Sequence, residues 1–261
     1  YIKDGMLELT ETKKQEIVLN NIYGVDIDQN AINHAKIKMA GLVGNIDLSN
    51  NIKCGNSLIG TDYFSNMLFY DDALWNEIKP FDWTKEFPKV FQNGGFDVVI
   101  GNPPYIGEKG HKEIFEKVKN GTLCDFYVGK MDYFYFFFHL ALNIVRDNGI
   151  IAFITTNYYI TALGGKKLRE DLYNRATIKK LINFNELKIF ESATGQHNMI
   201  TILQKGKNKN ELANTCITHR KGHATSEILQ KILSGDDDET DYYQITQENL
   251  YDGNEHYIRL I

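Results

Sequence analysis

Asn102-Pro103-Pro104-Tyr105 is the stretch whose residue types and spacing carry the clearest chemistry. Four consecutive positions supply a side-chain amide, a backbone carbonyl with no helical partner and an aromatic face. Such a set can hold a flat ring that bears an amino group: two oxygens accept its N–H groups and one surface stacks on it. The stretch follows Phe96-Asp97-Val98-Val99-Ile100-Gly101, an apolar run that predicts a buried strand. Each proline lacks a backbone N–H and has a fixed φ, so the strand must stop there. Ligands of open α/β sheets bind where the carboxyl ends of strands stop. The plain alternative is a turn without chemistry.

The segment Phe96 to Tyr105 resembles the catalytic loop of amino-group DNA methyltransferases in their adenine-N6 form. A bare Asn-Pro-Pro-Tyr also occurs in glutamine methyltransferases that act on release factors and in guanine-N2 RNA methyltransferases. Other runs extend the resemblance over about residues 15 to 205, in the family's own order: Tyr23 to Asp28, Cys54 to Leu58, Met131 to Phe138, Ile150 to Asn157 and Phe190 to Leu203. It implies that Asn102, Pro103, Pro104 and Tyr105 form the target-base site, with Asn102 and the Pro103 carbonyl each accepting one N–H of an adenine amino group. The lone pair of that nitrogen, delocalised into the ring, could then turn toward a sulfonium methyl. That is positioning with electrostatic stabilisation, needing no strong base. The base must leave the duplex to reach such a site; Tyr105 and Phe190 are the aromatics the resemblance sets against it.

The same resemblance gives S-adenosylmethionine as cofactor. Asp26, at the tip of a strand, takes the ribose hydroxyls, and Asn56, with Ser57 beside it, meets the cofactor's adenine. Most relatives have Asp where Asn56 stands; asparagine keeps an acceptor oxygen and loses the charge. Double-stranded DNA is the implied partner. The family's glycine-rich first strand and turn do not occur before Asp26, so the chain is expected to be a fragment lacking them. No nuclease motif is present. A nuclease and a recognition domain, fused or separate, are expected of the full-length protein, as in single-chain restriction–modification enzymes and phage-defence methyltransferases. Two other functions compete: a release-factor glutamine N5-methyltransferase, and a catalytically silent DNA-binding or scaffolding module.

The elements that must position these residues alternate. Strands are predicted at Ile22–Asp26, Asn51–Cys54, Phe96–Ile100, Ile150–Thr155, Ile178–Phe184 and Met199–Leu203. Helices are predicted after Asp28, over Asp132–Val145 and over Lys166–Tyr173. The expected fold is α/β: a Rossmann-like class I methyltransferase fold, mostly parallel, with an antiparallel last strand and without its first strand. Residues 1–205 form the partial catalytic domain; 206–261 are a linker and the start of a target-recognition region. Thr61 to Gln92, aromatic and irregular, reads as an insertion or lid. The aromatics of 133–138 read as core, and His139 as a satisfied core histidine.

Composition bounds these readings. The chain of 261 residues is 43% hydrophobic and carries a net charge of −5, awkward for a protein that grips phosphates. Local clusters (Lys166, Lys167 and Arg169; Lys179 and Lys180; Lys205, Lys207 and Lys209) are either a solvated face or a DNA track. Cys54, Cys124 and Cys216 form no Cys-x-x-Cys pair, so neither zinc nor a disulfide framework is indicated. No apolar run reaches membrane-span length. A reducing, cytoplasmic compartment is expected.

Overall fold

The computed structural model describes residues 2–3 and 6–7 as backbone, and 9–65, 67–191 and 196–261 in full. It divides into two units, residues 1–86 and 87–261.

In the first unit, two helices flank two short parallel strands. Thr10 caps α1 (Glu11–Asn21) through Lys13 N, and Asp28 caps α2 (Gln29–Val43) through Asn30 N. Such caps satisfy backbone donors that have no partner in the first turn. Val18, Ile32, Val43 and Leu48 close over Ile52 in a small core. Strand β1 (Gly24–Asp26) pairs in parallel with β2 (Ile52–Cys54), Asp26 opposite Cys54. This pair stands as its own two-stranded sheet, not as part of the larger one predicted from the sequence. The segment after Gly60 is packed rather than loose. Ile78 and Phe81 are buried, and the Phe64 and Trp75 rings stack at 5.1 Å.

The second unit is built on six strands: β3 (Phe96–Gly101), β4 (Val145–Thr156), β5 (Ala176–Asn183), β6 (Asn198–Lys205), β7 (Leu212–Thr218) and β8 (Thr240–Thr246). Their order across the sheet is β8-β7-β5-β6-β4-β3. β3, β4, β5 and β7 run one way; β6, wedged between β4 and β5, and β8 run the other. The predicted antiparallel strand is therefore present, at the centre. β3 is an edge; among the described residues its outer side makes no ladder, and Val98 and Ile100 are exposed.

Helix α3 (Phe134–Ile144) covers one face. It is apolar all round, which means burial, and Phe138 meets the Phe153 ring of β4 at 5.0 Å. On the other face α5 (Ser226–Ser234) brings Ile228, Leu229 and Ile232 against Ile182 and Ile200. The polar stretch 206–210 is a turn between strands of one sheet, since β7 and β8 continue that sheet beyond it. Helix α4 (Lys166–Arg175) holds the final segment through Arg169. The predicted surface cluster loses this member: Arg169 is fully buried and donates to the carbonyls of Tyr159, Ala162 and Glu255 at 2.9, 2.6 and 2.9 Å. Several lysines of those clusters are also engaged: Lys166 with Glu255, Lys179 with Glu211, and Lys207 over the Tyr173 ring.

Candidate base-binding edge and nucleoside-binding strand tips

The carboxyl ends of β3, β4 and β5 and the start of antiparallel β6 share one edge of the second unit's sheet. Asn102 leaves β3 there, exposed, with Pro103 buried behind it. Gly101 packs closely at this exit, where a Cβ would lie 3.1 Å from the Phe153 ring. Tyr105 turns back over the edge. Its hydroxyl lies 2.7 Å from Asn102 Oδ1 and 3.1 Å from the Ile154 carbonyl of β4. Its ring meets Phe134 edge to face at 6.2 Å. Burial pushes the Tyr105 phenol up to about 12, so the group is a neutral donor around neutral pH. Ile106 N takes the Pro104 carbonyl, and no backbone N–H among the described residues takes that of Pro103.

The loop is braced from outside. Tyr133 N donates to Ile106 O at 2.7 Å and Glu108 N to Met131 O at 3.0 Å, while Gly107 and Asp132 form a bridge. The Glu108 carboxylate accepts from the Tyr127 hydroxyl and from Lys130 N. Burial holds Asp132 above the ordinary carboxylate range, against the opposing hydrogen bond of Tyr135.

Thr155 and Thr156, both buried, follow at the end of β4. Thr156 precedes a short helical turn, yet its hydroxyl caps nothing there and has no partner among the described residues. Asn157 Nδ2 donates to Asn183 Oδ1 at 3.0 Å, across β6. Asn198 opens β6 opposite Thr156. Its side chain is 1% exposed, and neither its nitrogen nor its oxygen has a partner among the described residues. Sequence reading missed Asn198; the only signal is a polar residue at the head of an apolar strand. Phe190 is half-buried, and residues 192–195 of the motif that follows it lie outside the described residues.

The nucleoside-binding candidates lie in the first unit. Asp26 is exposed at the tip of β1, and its Oδ1 accepts from Asp28 N at 2.8 Å. The chain leaves β2 through Gly55, whose N–H donates to Asp26 O at 2.9 Å. Gly55 admits no side chain, since a Cβ would sit 2.6 Å from Phe81. Asn56 is half-buried; its N–H donates to Lys79 O and its Oδ1 accepts from Leu58 N at 3.1 Å. Its amide N–H groups are what remain for a ligand, so the acceptor oxygen expected from the sequence is already partly used. Ser57, half-buried, gives its carbonyl to Trp83 Nε1 at 3.0 Å. No cluster of metal ligands occurs among the described residues, and no helix there is long and apolar enough to cross a membrane.

A mixed sheet with one antiparallel strand wedged between parallel neighbours, and helices on both faces, defines the Rossmann-like class I methyltransferase fold. The methyltransferase subunit of a type I restriction–modification system from Streptococcus thermophilus has the same fold, with a TM-score of 0.56 at 14% identity over 95% of this chain and 51% of that one. The chain belongs to the Eco57I restriction-modification methylase family, which its residues 20–190 match. It is 28% identical over 217 residues to the type II restriction enzyme and methyltransferase RM.Eco57I of Escherichia coli, covering 74% of this chain and 20% of that protein. It is 27% identical over 186 residues to the adenine-specific methyltransferase PglX of Streptomyces coelicolor, covering 60% of this chain and 15% of that protein. The chain spans about a quarter or less of the length of these and the other first curated relatives.

Proposed function

We propose that the protein carrying this chain methylates adenine N6 in duplex DNA with S-adenosylmethionine, as part of a restriction–modification system. The observation that carries this reading is the Asn102–Tyr105 loop at the carboxyl edge of the sheet, with the Asn102 oxygen fixed by the Tyr105 hydroxyl at 2.7 Å. The Asn102 side-chain oxygen is an acceptor that a base amino group can take. The open Pro103 carbonyl is the second acceptor. Between them they turn the nitrogen lone pair out of the ring plane, a stabilisation that matters only as the transition state forms. An extruded adenine would be bounded by Tyr105 and Phe190.

The residues present fit the nucleoside half of the cofactor: an exposed carboxylate on Asp26 for the ribose hydroxyls, and the Asn56 amide with Ser57 for the adenine. The chemistry drawn from bound S-adenosylmethionine is one electrophilic methyl group. A recognition region following 206–261, and a nuclease, belong to the same proposal for the whole protein.

The test is incubation of the full-length protein with duplex DNA and S-adenosylmethionine, followed by mass spectrometry of the nucleosides. N6-methyladenine is the expected product. N4-methylcytosine, or methylation of a release-factor glutamine in place of DNA, would overturn the reading.

A further inference from the structure

Asn198 holds a costly position. A buried amide without partners forfeits hydrogen bonds it would have in water, an expense evolution tolerates chiefly at functional sites. Its backbone is pinned on both sides: its carbonyl accepts from Phe184 N at 2.9 Å, and the strand pairs with β4 at Thr156. The side chain is thereby set at the carboxyl edge, on the same face as Thr156, whose hydroxyl is also buried and without a partner among the described residues. The Tyr105 hydroxyl reaches this place as well, through the carbonyl of Ile154, two residues before Thr156. That phenol is shared between the Asn102 oxygen and the Ile154 carbonyl, and it has a single proton to donate.

We propose that Asn198 is a positioning residue for the base site: when a base amino group takes the Asn102 oxygen, the Tyr105 hydroxyl passes its hydrogen bond to the Asn198 amide. This rests on the function proposed above. Rotation about the phenol C–O bond redirects the proton. The Asn102 oxygen is freed for the base, while the amide of Asn198 gains the partner it lacks. The Asn198 side chain lies within hydrogen-bonding influence of that hydroxyl, lowering a phenol pKa that burial raises.

The prediction sets stability against turnover. In this chain, Asn198→Leu removes an unpartnered polar group of similar volume, so Tm should hold or rise. In the full-length protein the same change should lower kcat roughly 5- to 10-fold, about the worth of one hydrogen bond, with KM for S-adenosylmethionine unchanged. In a Tyr105→Phe background it should cost nothing further, because the hydroxyl through which it acts is gone. Asn198→Ala, smaller and free of overpacking, should show the same non-additivity. A fall in Tm for Asn198→Leu would make Asn198 an ordinary structural polar group and overturn the proposal. Parental kcat in both variants, or an equal further loss in the Tyr105→Phe background, would do the same. A parental protein that methylates no adenine would instead overturn the underlying function, and this inference with it.

Discussion

The Tyr105 hydroxyl lies 2.7 Å from the side-chain oxygen of Asn102, three residues earlier in the chain. The contact holds the amide of an exposed side chain in one orientation, oxygen toward the edge. From sequence, Tyr105 is expected only as a stacking surface and Asn102 only as an acceptor; the structure joins the two side chains to each other.

Replacing Asn102 by Ala should therefore remove an acceptor and leave the fold alone. Turnover should fall by roughly 10²–10³, the usual loss when one preorganised hydrogen-bonding group is taken from a site of developing charge. Affinity for S-adenosylmethionine should change little, since the nucleoside contacts are assigned to Asp26 and Asn56. Single-turnover methylation and cofactor titration of the full-length protein measure the two separately, and methylation near the parental rate would end the role given to Asn102.

Tyr105→Phe keeps the ring against Phe134 and deletes only the hydroxyl. It should cost roughly 5- to 10-fold in kcat, whereas Tyr105→Ala, which also removes the stacking face, should cost more. Because the phenol is held at about 12, Tyr105 ionisation should not appear in a pH–rate profile below about pH 10. Coincident profiles for wild type and Tyr105→Phe across the neutral range are the check.

Arg169 is a structural cation. Three carbonyls from two segments share its guanidinium, and the Tyr257 ring lies 4.7 Å from it. Arg169→Met should destabilise the second unit by about 3 kcal/mol or more, because buried carbonyls lose a charged donor. Lysine should not rescue it, having no planar fork to reach several acceptors at once. Hydrogen exchange should show the first loss of protection around the β-hairpin of Tyr251–Asp252 and Tyr257–Ile258. Uniform loss, with that hairpin still protected, would contradict the clamp.

His139 and Asp171 make stability depend on pH. His139 Nδ1 lies 2.5 Å from Asp171 Oδ2, Phe126 stacks on the ring at 3.7 Å, and Nε2 is buried without a partner among the described residues. Burial is the strongest influence on the imidazole and pushes its pKa down, outweighing Asp171. The folded chain thus resists a proton that the unfolded chain accepts below about pH 6.5, so stability should be flat above that pH and fall below it. For Asp171, burial raises the pKa, but His139 and Arg175 outweigh it and leave it low. Its contribution is complete above about pH 3.9 and is lost only as pH falls through the lower folded value. Tm measured from about pH 8 to about pH 5 should slope downward on the acid side, and His139→Asn should flatten that slope. An unchanged slope would assign it to other groups.

How far the chain was legible follows from the range of the interactions. The turn after β3, the helix after Asp28, the helix over the aromatic run and the positions of the predicted strands along the chain rest on contiguous residues and local periodicity, so sequence by itself determined them. It also determined that the strand at Met199–Leu203 belongs to a methyltransferase-like sheet. Only the tertiary structure decided the rest. Arg169 reads as a surface charge until the carbonyls of Tyr159 and Glu255 close around it. His139 reads as satisfied until its second nitrogen is found enclosed. Asn198 acquires meaning only when β6 enters the sheet between β4 and β5 and sets it opposite Thr156. The turn at 206–210 reads as a linker until β7 pairs with β5. In each case the deciding partner is far away in sequence, and burial or pairing with a distant group changes the cost of a polar atom without changing any local pattern.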